Sequence, residues 1–177
     1  GAWIVEDDYD GEFRYGARPI AALRGLDADG RVIHVGSFSK TLFPALRLGF
    51  LVVPSDLVDG FARARMASDV HPPLLDQMIL LEFMTRGHYQ RHVRRMQQEY
   101  AERLHALRTA IDRTGAPLRL RPVHSGLHAV ADLASIDAER VYTQAAARNL
   151  EVVPLSAYRY GSGASQNGLL LGFGACR

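Results

Sequence analysis

Three short apolar runs set the strongest limit on how this chain folds. They end at glycine, proline, serine or acidic residues, and they comprise Trp3 to Val5, Val32 to Val35 and Leu48 to Val53. Short apolar runs rich in β-branched residues are typical of buried strands. Because a buried strand needs packing partners on both faces, helices are expected close to these runs in the sequence.

Two helices are predicted directly after the third run. Ser55 is the expected N-cap of a helix that extends to about Ala67, and Pro73 stands at the expected start of a second helix, Leu74 to about Thr85. Strands that alternate with helices predict an α/β layered domain.

From His88 onward the pattern indicates one long amphipathic helix that ends at Gly115 and Pro117. Its apolar residues recur at spacings of four and three: Tyr89, Val93, Met96, Tyr100, Leu104, Leu107 and Ile111. The shorter elements expected after it are strands at Leu118 to Val123, Leu127 to Leu133, Glu151 to Val153 and Leu169 to Phe173, and a helix at Asp137 to Asn149. We place a boundary near residue 90, so that residues 1–90 end a large α/β domain and residues 91–177 form a small α+β domain.

Composition excludes several classes of protein. The 177 residues are 47% hydrophobic, no apolar run approaches a membrane span, and Cys176 is the single cysteine, which excludes a disulfide framework. A formal charge of +2 does not indicate a nucleic-acid or membrane partner. We therefore expect a cytoplasmic protein. Because the chain begins without methionine and inside a predicted strand, we also expect it to be part of a longer protein.

The segment of residues 36–50, GSFSKTLFPALRLGF, carries the strongest chemical signal. Ser37 and Ser39 bracket a phenylalanine, Lys40 follows, and Arg47 stands seven residues later. A guanidinium binds phosphate oxygens in pairs while hydroxyls donate singly, so these groups can hold a phosphate beside an amine. A lysine among cations and partly removed from water loses basicity, which suits it to form a Schiff base. The pattern is typical of a cofactor site.

This segment, together with residues 6–15, EDDYDGEFRY, resembles the pyridoxal 5'-phosphate (PLP) domain of fold type I aminotransferases. Within that superfamily the chain resembles the MocR (GabR-like) group of GntR-type transcriptional regulators, through its Asp-Asp-Tyr-Asp spacing and through residues 87–96 and 154–158. The resemblance implies the C-terminal half of a three-layer α/β/α large domain followed by a small α+β domain.

The resemblance also implies a role for each matched residue. Lys40 would form the Schiff base with PLP, Asp7 would pair with the pyridinium nitrogen, and Tyr9 would hydrogen-bond the phenolic oxygen of the ring. The implied phosphate ligands are Ser37, Ser39 and Arg47.

Plainer roles remain open for several of these residues. Lys40 and Arg47 can be ordinary surface residues, Tyr9 can be a core aromatic, and Asp8 competes with Asp7 because only spacing separates them. His88 and His92 stand four apart with no third metal ligand nearby, so no metal is expected. The basic run from Arg86 to Arg95 is interpreted as a solvated helix face rather than a DNA surface, because Glu99 and Glu102 follow on the same helix.

Two departures from the aminotransferase pattern bear on function. The late strand, Leu169 to Phe173, has no arginine to bind a substrate carboxylate, and Arg159 is the alternative candidate for binding an effector or substrate. The glycine-rich phosphate loop, the aromatic residue that stacks on PLP and an asparagine to the ring oxygen do not precede Gly1, so this piece alone is expected to bind PLP weakly.

These observations predict the effector-sensing domain of a MocR-type regulator, with PLP on Lys40 and a small amino compound as effector. The alternative is a genuine class I or II aminotransferase, and whether the chain is an enzyme stays open. DNA would be bound only through a domain outside this chain. The resemblance further implies a homodimer for the complete protein.

Overall fold

The protein is described by a computed structural model that covers residues 1–16, 20–161 and 166–175, so that Cys176 lies outside the described residues. The chain divides into two compact units. The first comprises Gly1–Glu12 and Ala17–Met96, and the second comprises Phe13–Gly16 and Gln97–Arg177. The assignment of residues 1–90 and 91–177 to a large and a small cofactor domain stays a prediction.

A three-stranded sheet organises the first unit. Its strands are β1 (Ile4–Asp8), β2 (Val32–Ser37) and β3 (Gly49–Val52), in the order β1-β2-β3. Strand β1 is parallel to β2, and β3 is antiparallel to β2. The three predicted strands are therefore present. Strand β1 extends through the acidic residues, beyond the predicted apolar run.

Only the central strand is buried as the sequence analysis expected. Val32 and Ile33 of β2 are in the core, whereas Ile4 and Val5 of β1 and every residue of β3 are exposed. The expectation of three buried strands was wrong for β1 and β3, because burial depends on which elements pack on the faces of the sheet, and an apolar run does not show this. Across β2 and β3, Gly36 faces Phe50, and a Cβ at Gly36 would lie 2.2 Å from the phenyl ring, so a larger residue would have to displace that ring.

The first unit also contains α1 (Leu23–Leu26), α2 (Val58–Asp69), α3 (Leu74–Thr85) and the first part of α4 (His88–Thr114). Helix α3 has the predicted bounds. The expected N-cap at Ser55 was wrong, because Ser55–Leu57 form a 3-10 turn whose N-cap residue is Pro54, and no side-chain hydrogen bond caps the turn or α2. Helix α1 was not predicted, since four residues are too few to show a periodicity.

Helix α4 confirms the prediction of a single long helix. It ends at Thr114, and Gly115 follows with a positive φ of 59°. A glycine adopts this left-handed conformation without steric cost, so the helix ends where the sequence indicated. Val93 and Leu104, both on the predicted apolar stripe, are buried. No helix in the described ranges is both long enough and apolar enough to cross a bilayer.

The second unit is built on a four-stranded antiparallel sheet. Its strands are β4 (Leu118–Leu120), β5 (His128–Leu133), β6 (Val153–Pro154) and β7 (Gly168–Gly172), in the order β4-β5-β7-β6. Helix α5 (Ala138–Ala146) lies between β5 and β6 in the sequence. The four predicted strands are present with different bounds: β4 and β5 are shorter, β6 overlaps its prediction at Val153 only, and β7 is shifted by one residue, because periodicity marks the centre of an element better than its ends.

A compact aromatic core stabilises the second unit. Phe13 is 0% exposed and its ring meets that of Tyr100 edge to face, with centroids 4.8 Å apart and planes at 88°. Leu104, Val123 and Phe173 belong to a buried cluster against which Tyr100 also packs. The segment of residues 13–16 is thereby held in the second unit.

We expect Phe13→Ala to lower the free energy of unfolding by about 3–5 kcal/mol, because a fully buried phenyl ring leaves a cavity when it is removed. Tyr160→Ala is the matched control, since Tyr160 is fully exposed and its loss should change stability by less than about 0.5 kcal/mol. Urea denaturation of the complete protein and its two variants measures both. Equal destabilisation by the two substitutions would contradict this description of the core.

Candidate functional site

The strand pairing brings the predicted site residues of the first unit to one end of one sheet. Asp8 of β1 pairs with Gly36 of β2 in parallel, so Tyr9 and Ser37 follow at the same end of the sheet. Ser37 also pairs with Gly49, the first residue of the antiparallel strand β3, so Arg47, which precedes β3, lies at this end of the sheet too. The residues brought together are therefore Asp7, Tyr9, Ser37, Ser39, Lys40 and Arg47. In α/β sheets, ligands bind beyond the carboxyl ends of the parallel strands.

The loop after β2 folds back on itself and exposes Lys40. The backbone N–H of Phe38 donates to the carbonyl of Leu48 at 3.0 Å, and that of Leu42 donates to the carbonyl of Phe38 at 2.9 Å. The Ser37 hydroxyl oxygen accepts the N–H of Ser39 at 3.2 Å. Lys40 therefore lies exposed on a loop with defined hydrogen bonds.

Arg47 has an unusual backbone conformation. Its φ is 50°, in the left-handed region, and it follows the 3-10 turn Pro44–Leu46. A residue with a Cβ adopts this conformation at a cost of roughly 1 kcal/mol, and such residues cluster at ligand sites. The exposed guanidinium is thus held just before β3 by a backbone that most residues avoid.

Tyr9 is not a core aromatic, because the residue is 44% exposed. The negative charge of Asp10 raises the pKa of the Tyr9 hydroxyl, with further contributions from partial burial and from Asp7. The hydroxyl therefore keeps its proton near neutral pH and is available as a hydrogen-bond donor.

The structure distinguishes the two aspartates that the sequence left in competition. The carboxylate of Asp8 accepts the backbone N–H of Gly11 at 3.0 Å, so it stabilises the turn after β1. Asp7 is exposed and, because side chains alternate along a strand, it points to the opposite face of β1. This arrangement favours Asp7 as the ligand-facing carboxylate, a role that stays a prediction.

Glu6 organises the end of β1, and the sequence analysis missed it. Its carboxylate contacts His34 Nδ1 at 3.0 Å and accepts the N–H groups of Leu23 and Arg24, at the start of α1, at 2.7 and 3.1 Å. Glu6 and His34 are register partners in the parallel pair. The hydrogen bonds from His34, Leu23 and Arg24 lower the pKa of Glu6 below its usual range. The sequence signal that could have indicated this contact is an acidic residue, Glu6, and a histidine, His34, at matching positions of two predicted strands.

Thr41 anchors the segment between β2 and β3, residues 38–48, here named the lysine loop, to α4. It is 1% exposed, it accepts the Tyr89 hydroxyl at 3.2 Å through its own hydroxyl oxygen, and its carbonyl contacts His92 Nε2 at 2.9 Å. His88 instead contacts Arg91. Among the described residues, no cluster of three or more histidine, cysteine or acidic side chains is arranged to hold a metal ion.

Arg159, the candidate effector residue, belongs to the second unit. It follows the 3-10 turn Leu155–Tyr158, its N–H donates to the carbonyl of Ser156 at 3.1 Å, and its side chain is exposed. The late strand without arginine is β7, whose residues are GLLLG.

Residues 1–167 match the aminotransferase class I and II family. The chain belongs to this family. It is 41% identical over 174 residues to the probable rhizopine catabolism regulatory protein MocR of Rhizobium meliloti, covering 97% of this chain and 35% of that protein. It is 34% identical over 177 residues to the pyridoxine biosynthesis transcriptional regulator PdxR of Corynebacterium glutamicum, covering 98% and 38%. This aminotransferase-family chain thus spans little more than a third of either regulator.

Solved aminotransferases share the fold. The α-aminoadipate aminotransferase LysN of Thermus thermophilus, complexed with N-(5'-phosphopyridoxyl)-L-leucine, superposes with a TM-score of 0.83 at 28% identity, covering 97% of this chain and 45% of that one. The prediction of a fold type I α/β chain is confirmed, as is the resemblance to regulators that carry aminotransferase-like domains.

The pH dependence of stability tests the role of Glu6. Since the pKa of Glu6 is lower in the folded protein than its ordinary value of 4.5, the carboxylate stabilises the fold above about pH 4.5, and this contribution is lost as the pH falls further. We expect Glu6→Gln to be less stable than wild type at pH 7 and to lose less stability on acidification. Glu102→Gln, which changes an exposed carboxylate on α4, is the control. Parallel stability profiles for Glu6→Gln and wild type between pH 7 and pH 3 would argue against the Glu6 contacts.

Proposed function

We propose that this chain is the PLP-binding, effector-sensing part of a MocR-type transcriptional regulator. The observation that carries the proposal is the convergence of a lysine, an arginine, two serines, a carboxylate and a phenol at one end of a single sheet. The 41% identity to MocR supports a regulator.

The chemistry of these groups fits PLP. Arg47, Ser37 and Ser39 offer the cation and hydroxyl donors that bind a phosphate dianion. Asp7 is an exposed carboxylate suited to a pyridinium N–H, and Tyr9 keeps a hydroxyl proton to donate to the ring oxygen. The phosphate, the ring nitrogen and the ring oxygen of the cofactor would therefore each have a partner suited by charge or hydrogen bonding.

Lys40 has the reactive role in this proposal. When bound, PLP supplies an aldehyde that condenses with amines and a ring that withdraws electrons from the amine carbon. Lys40 would hold the cofactor through its amine, and the amine of an effector would compete with Lys40 for the same position. Asp7 would pair with the ring N–H, and Arg47 with the two serines would hold the phosphate end in place.

Regulation rather than turnover is the favoured outcome. In this proposal residues 1–90 complete a large domain, residues 91–177 form a small domain that contributes Arg159, and the effector shifts the population of their arrangements. DNA is bound through a domain outside this chain, and the complete protein is a cytoplasmic homodimer. A genuine aminotransferase is the alternative, supported by the likeness to LysN; the absence of an arginine in β7 counts against it.

Substitution of the two cationic residues tests the cofactor site. Lys40→Ala in the complete protein should abolish the covalent attachment of PLP, which borohydride reduction and peptide mass spectrometry detect. Arg47→Ala should weaken PLP binding roughly 10- to 100-fold, because hydrogen bonds from a charged group to phosphate are worth about 1.5–3 kcal/mol. Arg63→Ala, on the exposed surface of α2, is the control and should bind PLP as wild type does. Attachment of PLP to Lys40→Ala would overturn the site.

Incubation with amines separates the sensor from the enzyme. We expect the PLP-loaded protein to change its absorbance with a suitable amino compound without sustained release of keto acid. Arg159→Ala should weaken that response at least about tenfold while leaving PLP affinity unchanged, since loss of a charged carboxylate contact costs about 1.5–3 kcal/mol. Many turnovers per protein would instead establish the aminotransferase alternative.

A further inference from the structure

The two residues that precede Thr41, Ser39 and Lys40, lie between two fixed points of the backbone. The fixed point before them is Phe38, whose carbonyl accepts the Thr41 hydroxyl at 3.4 Å; the oxygen of that hydroxyl in turn accepts from Tyr89. The fixed point after them is Thr41 itself, whose carbonyl contacts His92. Thr41 is almost completely buried, so its polar groups have little access to water and depend on these partners.

His92 acts as a donor in this arrangement. A carbonyl oxygen only accepts hydrogen bonds, so the contact between His92 Nε2 and the Thr41 carbonyl at 2.9 Å requires the proton on Nε2. The imidazole also packs near Phe83, with ring centroids 6.4 Å apart, which restricts its orientation. His92, which the sequence analysis considered with His88 as a possible metal pair, therefore donates a hydrogen bond to the lysine loop.

Tyr89 supplies the second contact. Its ring meets that of Phe38 edge to face, with centroids 5.9 Å apart and planes at 78°, and its hydroxyl reaches Thr41. Tyr89 and His92 are three residues apart on α4, so they lie on the same face of the helix. One helix face thus contacts both Phe38 and Thr41, the residues that flank Ser39 and Lys40.

We propose that Tyr89 and His92 are positioning residues for Lys40: through Thr41 and Phe38 they hold the backbone on both sides of the lysine, so that its amine is presented in one place. The inference rests on the proposed cofactor role of Lys40. A reacting group on a fixed backbone needs less ordering when the cofactor binds, which raises both the affinity and the rate of attachment.

Hydrogen exchange in the complete protein without cofactor tests the anchoring itself. Tyr89→Phe removes one oxygen, and His92→Leu removes the donor at similar volume. Each should speed exchange of the peptide covering residues 38–43 about three- to tenfold, the effect of losing one hydrogen bond. His92→Gln retains a side-chain N–H donor and should restore the wild-type rate. His88→Gln, the same change one turn away, is the control, because His88 contacts Arg91 instead of the loop.

Cofactor attachment then tests the consequence for Lys40. Tyr89→Phe and His92→Leu should weaken PLP binding and slow attachment by about three- to tenfold, while His92→Gln and His88→Gln behave as wild type. Circular dichroism confirms that each variant is folded; if His92→Leu is not, Tyr89→Phe carries the test.

The outcomes separate this inference from the proposed function. Unchanged exchange in Tyr89→Phe and His92→Leu overturns the anchoring, even where PLP attaches to Lys40 normally. Faster exchange with wild-type PLP attachment overturns the positioning role and leaves a contact that only stabilises the loop. If wild type and Lys40→Ala are alike in carrying no attached PLP, the proposed function fails, whatever the exchange rates show.

Discussion

The parallel pairing of β1 with β2 is the contact on which the candidate site depends. It aligns Glu6 with His34 and Asp8 with Gly36, so the residues that follow both strands emerge at one edge. Since strand side chains alternate with a period of two, a slip of one residue would exchange the faces of Asp7 and Asp8. The Glu6 carboxylate forms hydrogen bonds to β2 and to the start of α1, and so stabilises the register that places Asp7 and Asp8 on opposite faces of the strand.

The lysine loop is held by a different kind of contact. Hydrogen bonds within the loop define its turn. The buried, polar Thr41 also forms hydrogen bonds with Tyr89 and His92 of α4, about fifty residues later in the chain. Burial makes those partners necessary, because an unsatisfied polar group in the interior costs about 1–3 kcal/mol. The exposed Lys40 and the buried, polar Thr41 beside it are therefore two parts of one arrangement.

Much of the fold could be predicted from the sequence. The bounds of α3 and the whole of α4 follow from apolar periodicity and from Gly115, because these signals are local. The burial of β1 and β3 and the cap at Ser55 were wrong, since burial depends on neighbours that periodicity does not show. The partners of Glu6 and Thr41 were missed for the same reason, because His34, Tyr89 and His92 meet them only through long-range folding.

By itself, the sequence determined most of the secondary structure, because apolar periodicity is local, and it indicated the family and the candidate site residues through the resemblance carried by residues 6–15 and 36–50. Only the tertiary structure decided which side chains share an edge, which of two adjacent aspartates is engaged in a turn, and that His92 serves the loop of Lys40. These features depend on strand register and on contacts between residues far apart in the chain, and such contacts form only when the backbone is folded.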